Sequence, residues 1–108
     1  MNNFKIIYRI LKHLEESMDY EYINTEPISP ETLGISKPRW EHIMIMLIQN
    51  GYITGVNYIQ TLGDEKPRIV EPVKPIITLR GIEYLSENTF MKKASDVLKG
   101  IKEMTPGL

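Results

Sequence analysis

The chain has no cysteine among its 108 residues, which excludes disulfide staples and thiolate metal centres and suits a reducing compartment. Histidine is almost as scarce. His13 and His42 are the two present, and neither has a second histidine at the i+3 or i+4 spacing that lets one helix offer two imidazoles to a zinc ion. Long apolar runs are missing too: the longest, Ile43–Ile48, falls far short of the roughly 18 or more residues that a membrane-spanning helix needs. The opening residues lack the pattern of a cleavable secretion signal, so a cytoplasmic chain away from the membrane is expected. No G-x-x-x-x-G-K-[ST] loop, G-x-G-x-x-G turn or G-x-S-x-G elbow occurs, so no motif cradles phosphate or displays a strained nucleophile. The acid pairs Glu15-Glu16 and Asp64-Glu65 are sequence neighbours, which does not set two carboxylates around a substrate. The reading is therefore of a chain that is not an enzyme, with no catalytic residue, no metal and no cofactor assigned.

A basic excess is also absent. The net charge is -1, whereas dedicated nucleic-acid binders carry surplus cations that replace the counterions condensed on phosphates. The charge is unevenly spread. Residues 1–36 hold three basic and six acidic side chains (net -3), residues 37–80 six and four (net +2), and residues 81–108 four and four (net 0).

What is present is ordinary globular material, with 42% hydrophobic and 25% charged residues, enough for one core and one domain over residues 1–108. Phe4, Ile7, Tyr8, Leu11, Leu14 and Met18 recur at helical spacing and predict a first helix over Asn3–Ser17 with this stripe buried. Lys5, Arg9 and Lys12 form a solvated stripe on another face. Ser29-Pro30-Glu31 offers a cap, a proline where its missing N–H is harmless and an acid suited to the helix dipole, so a short second helix starts at Pro30 and stops at Gly34. Ser36 caps a third helix, Lys37 to Asn50, that turns Trp40, Ile43, Met44, Leu47 and Ile48 inward, with Gly51 as its left-handed stop. Strand-like runs Tyr52–Ile59 and Pro75–Thr78 predict a hairpin over about 52–78, with Gln60–Lys74 as a mobile loop at its tip. Thr78 and Thr89 then cap two terminal helices, about 79–88 and 90–103.

A three-helix unit whose second and third helices meet across a tight turn, followed by a two-stranded hairpin, matches the winged helix-turn-helix plan, an α+β and mainly helical fold. The segments ISKPRWEHIMIMLIQNGYITGV and PIITLRGIEYLSENTFMKKA make the likeness more specific. In them the chain resembles the YjcQ-like family of small winged-helix proteins from Firmicutes and their phages and prophages, with the weakest match between Gln60 and Glu71. The resemblance implies the architecture and carries over no catalytic or binding residue.

In a DNA-binding winged helix the third helix enters the major groove and the wing touches backbone or minor groove. Here the outward positions are Lys37, Arg39, His42 and Gln49, with Lys66 and Arg68 at the wing tip, and these six are the candidate contacts to double-stranded DNA. Glu41 in the first turn of that helix opposes this reading by repelling phosphates. Ile45 and Met46 exceed the apolar content one buried face requires, which predicts instead a protein-contact surface. Phe90, Val97 and Ile101 on the last helix are candidate contacts to a protein partner or to a second copy of the chain. Two readings stand open: a small DNA-binding accessory regulator of phage or prophage type, and a protein-interaction adaptor that does not touch nucleic acid.

Overall fold

The computed structural model describes residues 2–88. Helix α1 (Asn3–Glu16) begins where the Asn2 side chain accepts a hydrogen bond from the Lys5 N–H at 2.9 Å, satisfying one of the orphan donors of a first turn. Its buried face is Ile6, Ile10, Leu11 and Leu14. This corrects the expected stripe: Phe4 is 73% and Met18 61% exposed, while Ile7 and Tyr8 are half-buried. Burial of each of the four inward side chains contributes about 1.5–3 kcal/mol relative to exposure. A 3-10 turn (Ser17–Asp19) ends the helix, and the irregular connector after it is tied back to α1 by His13, whose Nε2 donates to the Asn24 carbonyl at 2.6 Å. His13 is thereby given a structural role.

A second 3-10 turn (Glu26–Ile28) buries Ile28 and leads into helix α2 (Pro30–Leu33). The Ser29 hydroxyl accepts from the Thr32 N–H at 3.2 Å, and Gly34 stops the helix at φ 70°. Helix α3 (Lys37–Gln49) starts three residues later, with the Ser36 hydroxyl accepting from the Arg39 N–H at 3.2 Å. Its far end closes with the Gly51 N–H on the Ile48 carbonyl (3.0 Å) and the Tyr52 N–H on the Leu47 carbonyl (2.9 Å). This is the Schellman arrangement, which needs the positive φ of Gly51, 77°. Both serine caps and both glycine stops sit where the residue pattern places them.

The chain then forms one long hairpin with two ladders. Strand β1 (Ile53–Thr54) pairs antiparallel with β4 (Ile76–Ile77), Ile53 facing Ile77, and β2 (Asn57–Ile59) pairs with β3 (Arg68–Val70), Tyr58 facing Ile69. The expected loop over 60–74 is thus wrong in extent, because β3 lies inside it. Residues 55–56 on the way out oppose 71–75 on the way back, and this mismatch bends the hairpin between its ladders. Gly55, at φ 81°, permits the bend; its carbonyl accepts from the Lys74 N–H at 3.3 Å, and a Cβ at this position would collide with the Lys74 carbonyl.

Residues 79–88 are helical (α4) through the last described position. Thr78 caps this element, its hydroxyl oxygen accepting from the Gly81 N–H at 3.1 Å and its hydroxyl donating to the Gly51 carbonyl at 2.6 Å. The end of α3 and the start of α4 are therefore stitched to one threonine. Tyr52 and Tyr84 pack with ring centroids 5.4 Å apart, and the Arg80 guanidinium lies 5.6 Å from the Tyr52 ring centre. The helix expected over 90–103 lies outside the described residues.

The core draws on the helices and the inner ladder: Ile6, Ile10 and Leu14 from α1, Ile28 from the second 3-10 turn, Leu33 from α2, Trp40, Ile43, Met44 and Leu47 from α3, Ile53 and Ile77 from the inner ladder, and Leu85 from α4. The Trp40 indole N–H donates to the Ile28 carbonyl at 2.8 Å, so the one large polar atom of this core has a partner. The result is an α+β, mostly helical architecture with two small antiparallel two-stranded sheets. Among the described residues no helix is long and apolar enough to cross a membrane.

Candidate functional site

A cleft of about 500 Å³ opens between α3 and the outer end of the hairpin. One wall is a single row of α3, Pro38, His42, Ile45 and Gln49, repeating at i, i+4, i+7 and i+11; the other is the hairpin segment 64–68. The register of the outer ladder and the contact of β3 with α3 bring the two walls together.

Glu41 holds the walls in place. It is buried to 8% exposure, and its carboxylate accepts a hydrogen bond from the Ile69 N–H at 2.9 Å. The sequence predicts a carboxylate in the first turn of the helix that repels phosphates. Instead it is turned to a backbone donor of β3, which satisfies a partly buried N–H and ties the hairpin to the helix. Its clue in the sequence is that Glu41 lies one turn before Ile45, so the two share a face that the hairpin covers.

Ile45 requires a second correction. Expected as an exposed partner contact, it is buried at 4% exposure. It stands outside the main core cluster and lines the cleft, so a second apolar row on α3 is accounted for by the hairpin folded across it. Met46, named with it, is half-buried and packs on the main core. Phe90, Val97 and Ile101 lie outside the described residues.

Of the six residues singled out for DNA contact, the cleft gathers four: His42 and Gln49 from α3, Lys66 and Arg68 from the hairpin. Lys37 and Arg39 are exposed on the first turn of α3 and do not line the cleft. Asp64, beside them on the hairpin, is engaged locally: its carboxylate accepts from both the hydroxyl and the backbone N–H of Thr61. The hydroxyl bond first, and the backbone bond second, hold its pKa below the ordinary carboxylate range. Among the described residues no cluster of three or more His, Cys, Asp or Glu side chains is placed to hold a metal ion.

Comparison with known sequences agrees with the likeness carried by α3 and the second hairpin return. The profile described as YjcQ protein matches residues 8–104. The chain belongs to the YjcQ family. A relative in Bacillus subtilis (strain 168), described as uncharacterized protein YjcQ, is 33% identical over 103 residues, a span covering 95% of this chain and 97% of the relative. No solved structure matches this YjcQ-family protein. The matched span includes α2, α3 and the whole hairpin, so every wall of the cleft lies within the shared sequence.

Proposed function

We propose that this chain is a winged helix-turn-helix protein that binds double-stranded DNA as a small accessory regulator, with α3 as the groove-facing helix and the hairpin as its wing. The observation that carries this reading is the sorting of side chains on α3. Its apolar residues other than Pro38 are buried or half-buried, Ile45 included, its single acid is tied to the Ile69 N–H, and Lys37, Pro38, Arg39, His42 and Gln49 are exposed. The exposed part of the helix is thus polar apart from Pro38 and free of carboxylates, as direct readout and phosphate contact require. Lys66 and Arg68 add two cations on the hairpin, beside Asp64 and Glu65. Of two objections from the sequence, the greasy helix surface shrinks with the burial of Ile45, while Glu41 keeps its negative charge under the hairpin. The adaptor reading loses its α3 argument with the burial of Ile45.

The test is a titration of the full chain against labelled mixed-sequence duplex DNA at low and physiological salt, together with Lys37→Ala and Arg39→Ala. Binding should weaken with salt, and each variant should lower affinity and flatten the log–log salt slope by about one. A folded protein that binds no duplex at low salt refutes the proposal.

A further inference from the structure

We infer that the open edge of the outer ladder is where two copies of this chain associate, strand β2 of one pairing antiparallel with β2 of the other across a two-fold axis at Ile59. This interface goes beyond the DNA reading and does not rest on it, because it is defined by the edge of the hairpin alone.

Which edge is open follows from one hydrogen bond. In an antiparallel pair the N–H and C=O of a residue point the same way, either toward the residue opposite or away from it. The Ile69 N–H is on the Glu41 carboxylate of α3, so it points away from β2. Tyr58, opposite Ile69, therefore turns its own N–H and C=O away from β3. The order outward from the helix is α3, β3, β2, and there the two-stranded sheet ends, with the Tyr58 main chain unpartnered among the described residues. All three residues of β2 are exposed, Ile59 to 55%. Such an edge is a template for a further strand.

The composition of the run selects the occupant. Residues 56–62 hold no charge, no proline and no glycine. They lack the devices that keep an edge from pairing, and they have the make-up of segments that stack on identical copies of themselves. A two-fold axis brings like side chains together, so a charged residue beside it would meet its own charge. Here Ile59 meets the partner's Ile59 at a non-hydrogen-bonded position, where side chains approach closest. Tyr58 lies opposite the partner's Gln60 and Gln60 opposite the partner's Tyr58, which lengthens β2 by one residue and forms four main-chain hydrogen bonds. The far side of the ladder is different: β3 stands between Pro67 and Pro72, carries Arg68, and has its Ile69 N–H taken by Glu41. With one open edge per copy, association closes at a four-stranded sheet, β3-β2-β2-β3, and does not propagate into a fibre. Each copy gains, since a ladder of two short strands is marginal and one of four is not.

The experiment is a dilution series of the full chain from about 1 mM downward, followed by sedimentation equilibrium and amide-resolved NMR. So short a pairing buries little surface, and a dissociation constant on the order of 0.1 mM is expected. Concentration-dependent shifts should centre on the Tyr58 and Gln60 amides. Ile59→Lys and Ile59→Glu change an exposed side chain and should each raise the dissociation constant at least about tenfold by like-charge repulsion, while an equimolar mixture of the two restores a dimer with one copy of each. Unchanged amide shifts in the α1 and α3 core establish that both variants are folded. A chain still monomeric at about 1 mM overturns the proposal and leaves the edge to an extended segment of another protein. Shifts centred away from β2, a dimer undiminished in Ile59→Lys, or two variants that do not associate on mixing overturn it as well.

Discussion

The Glu41 carboxylate accepts a hydrogen bond from the Ile69 N–H at 2.9 Å across 28 residues of sequence, and this contact ties the hairpin to α3. Removing the acceptor leaves a partly buried N–H without its partner, which costs about 1–3 kcal/mol. Glu41→Ala should therefore lower stability in chemical denaturation by an amount in that range. It should also speed hydrogen exchange at the Ile69 amide well beyond the global change, because the hairpin is freed locally. Glu41→Gln keeps a side-chain carbonyl acceptor of the same length and should lose less on both measures. Equal losses in the two variants would mean that the charge of the carboxylate, and not packing or a side-chain acceptor as such, is what matters there.

Asp64 and Thr61 form the turn at the hairpin tip, and their bond makes that turn sensitive to acid. The folded-state pKa of Asp64 is depressed, so its contribution to the turn is present above the ordinary carboxylate value and is lost as pH falls through the folded value. NMR of the Thr61 amide should accordingly show a change centred below the ordinary aspartate range. In Thr61→Val the largest cause of the depression, the hydroxyl bond, is gone, and the Asp64 titration should move upward. An unchanged titration in that variant would assign the shift to the backbone bond and the Arg68 charge.

The glycines separate conformational cost from steric cost. Gly34 and Gly55 both have positive φ, 70° and 81°, but a Cβ at Gly34 meets nothing within 4 Å, whereas at Gly55 it collides with the Lys74 carbonyl. Gly34→Ala should lose about 1 kcal/mol, the cost of a left-handed alanine. Gly55→Ala should lose that and roughly 1–3 kcal/mol more, the range for forced overpacking, since the obstacle is backbone and cannot swing aside. Thermal denaturation of the pair measures the difference.

Local chemistry was readable in the sequence and long-range pairing was not. Ser29, Ser36, Gly34, Gly51 and Thr78 act within a few residues of themselves, so their caps and stops follow from residue type alone. On α1, two overlapping rows, Phe4-Ile7-Tyr8-Leu11 and Ile6-Ile10-Leu14, both have helical spacing; which one is buried depends on where β4 and the 26–28 turn pack, as they do on α1. The β3 strand is a run of three residues with prolines on both sides, at positions 67 and 72, and such a run becomes a strand only by pairing with β2. Of the candidate site, residue types identified His42, Gln49, Lys66 and Arg68, but their meeting in one cleft depends on the bend at Gly55 and on Glu41, whose partner is far away in sequence.

Trp40 is the one tryptophan of the chain, and it reports on the junction between the connector and α3. Its indole is buried and donates to the Ile28 carbonyl at 2.8 Å, so native emission should be blue-shifted and move to the red on unfolding. Trp40→Phe fills much of the same space but leaves that carbonyl without its donor, a loss of about 1–3 kcal/mol for the unpaired group with a further contribution from the smaller ring. Because Ile28 immediately precedes the Ser29 cap of α2, the damage should spread first to α2. In hydrogen exchange the Thr32 and Leu33 amides should lose more protection than those of the α1 core, Ile10 and Leu14. Uniform loss across both helices would show instead that α1, α2 and α3 open as one cooperative unit, with Trp40 holding no special place at the α2 junction.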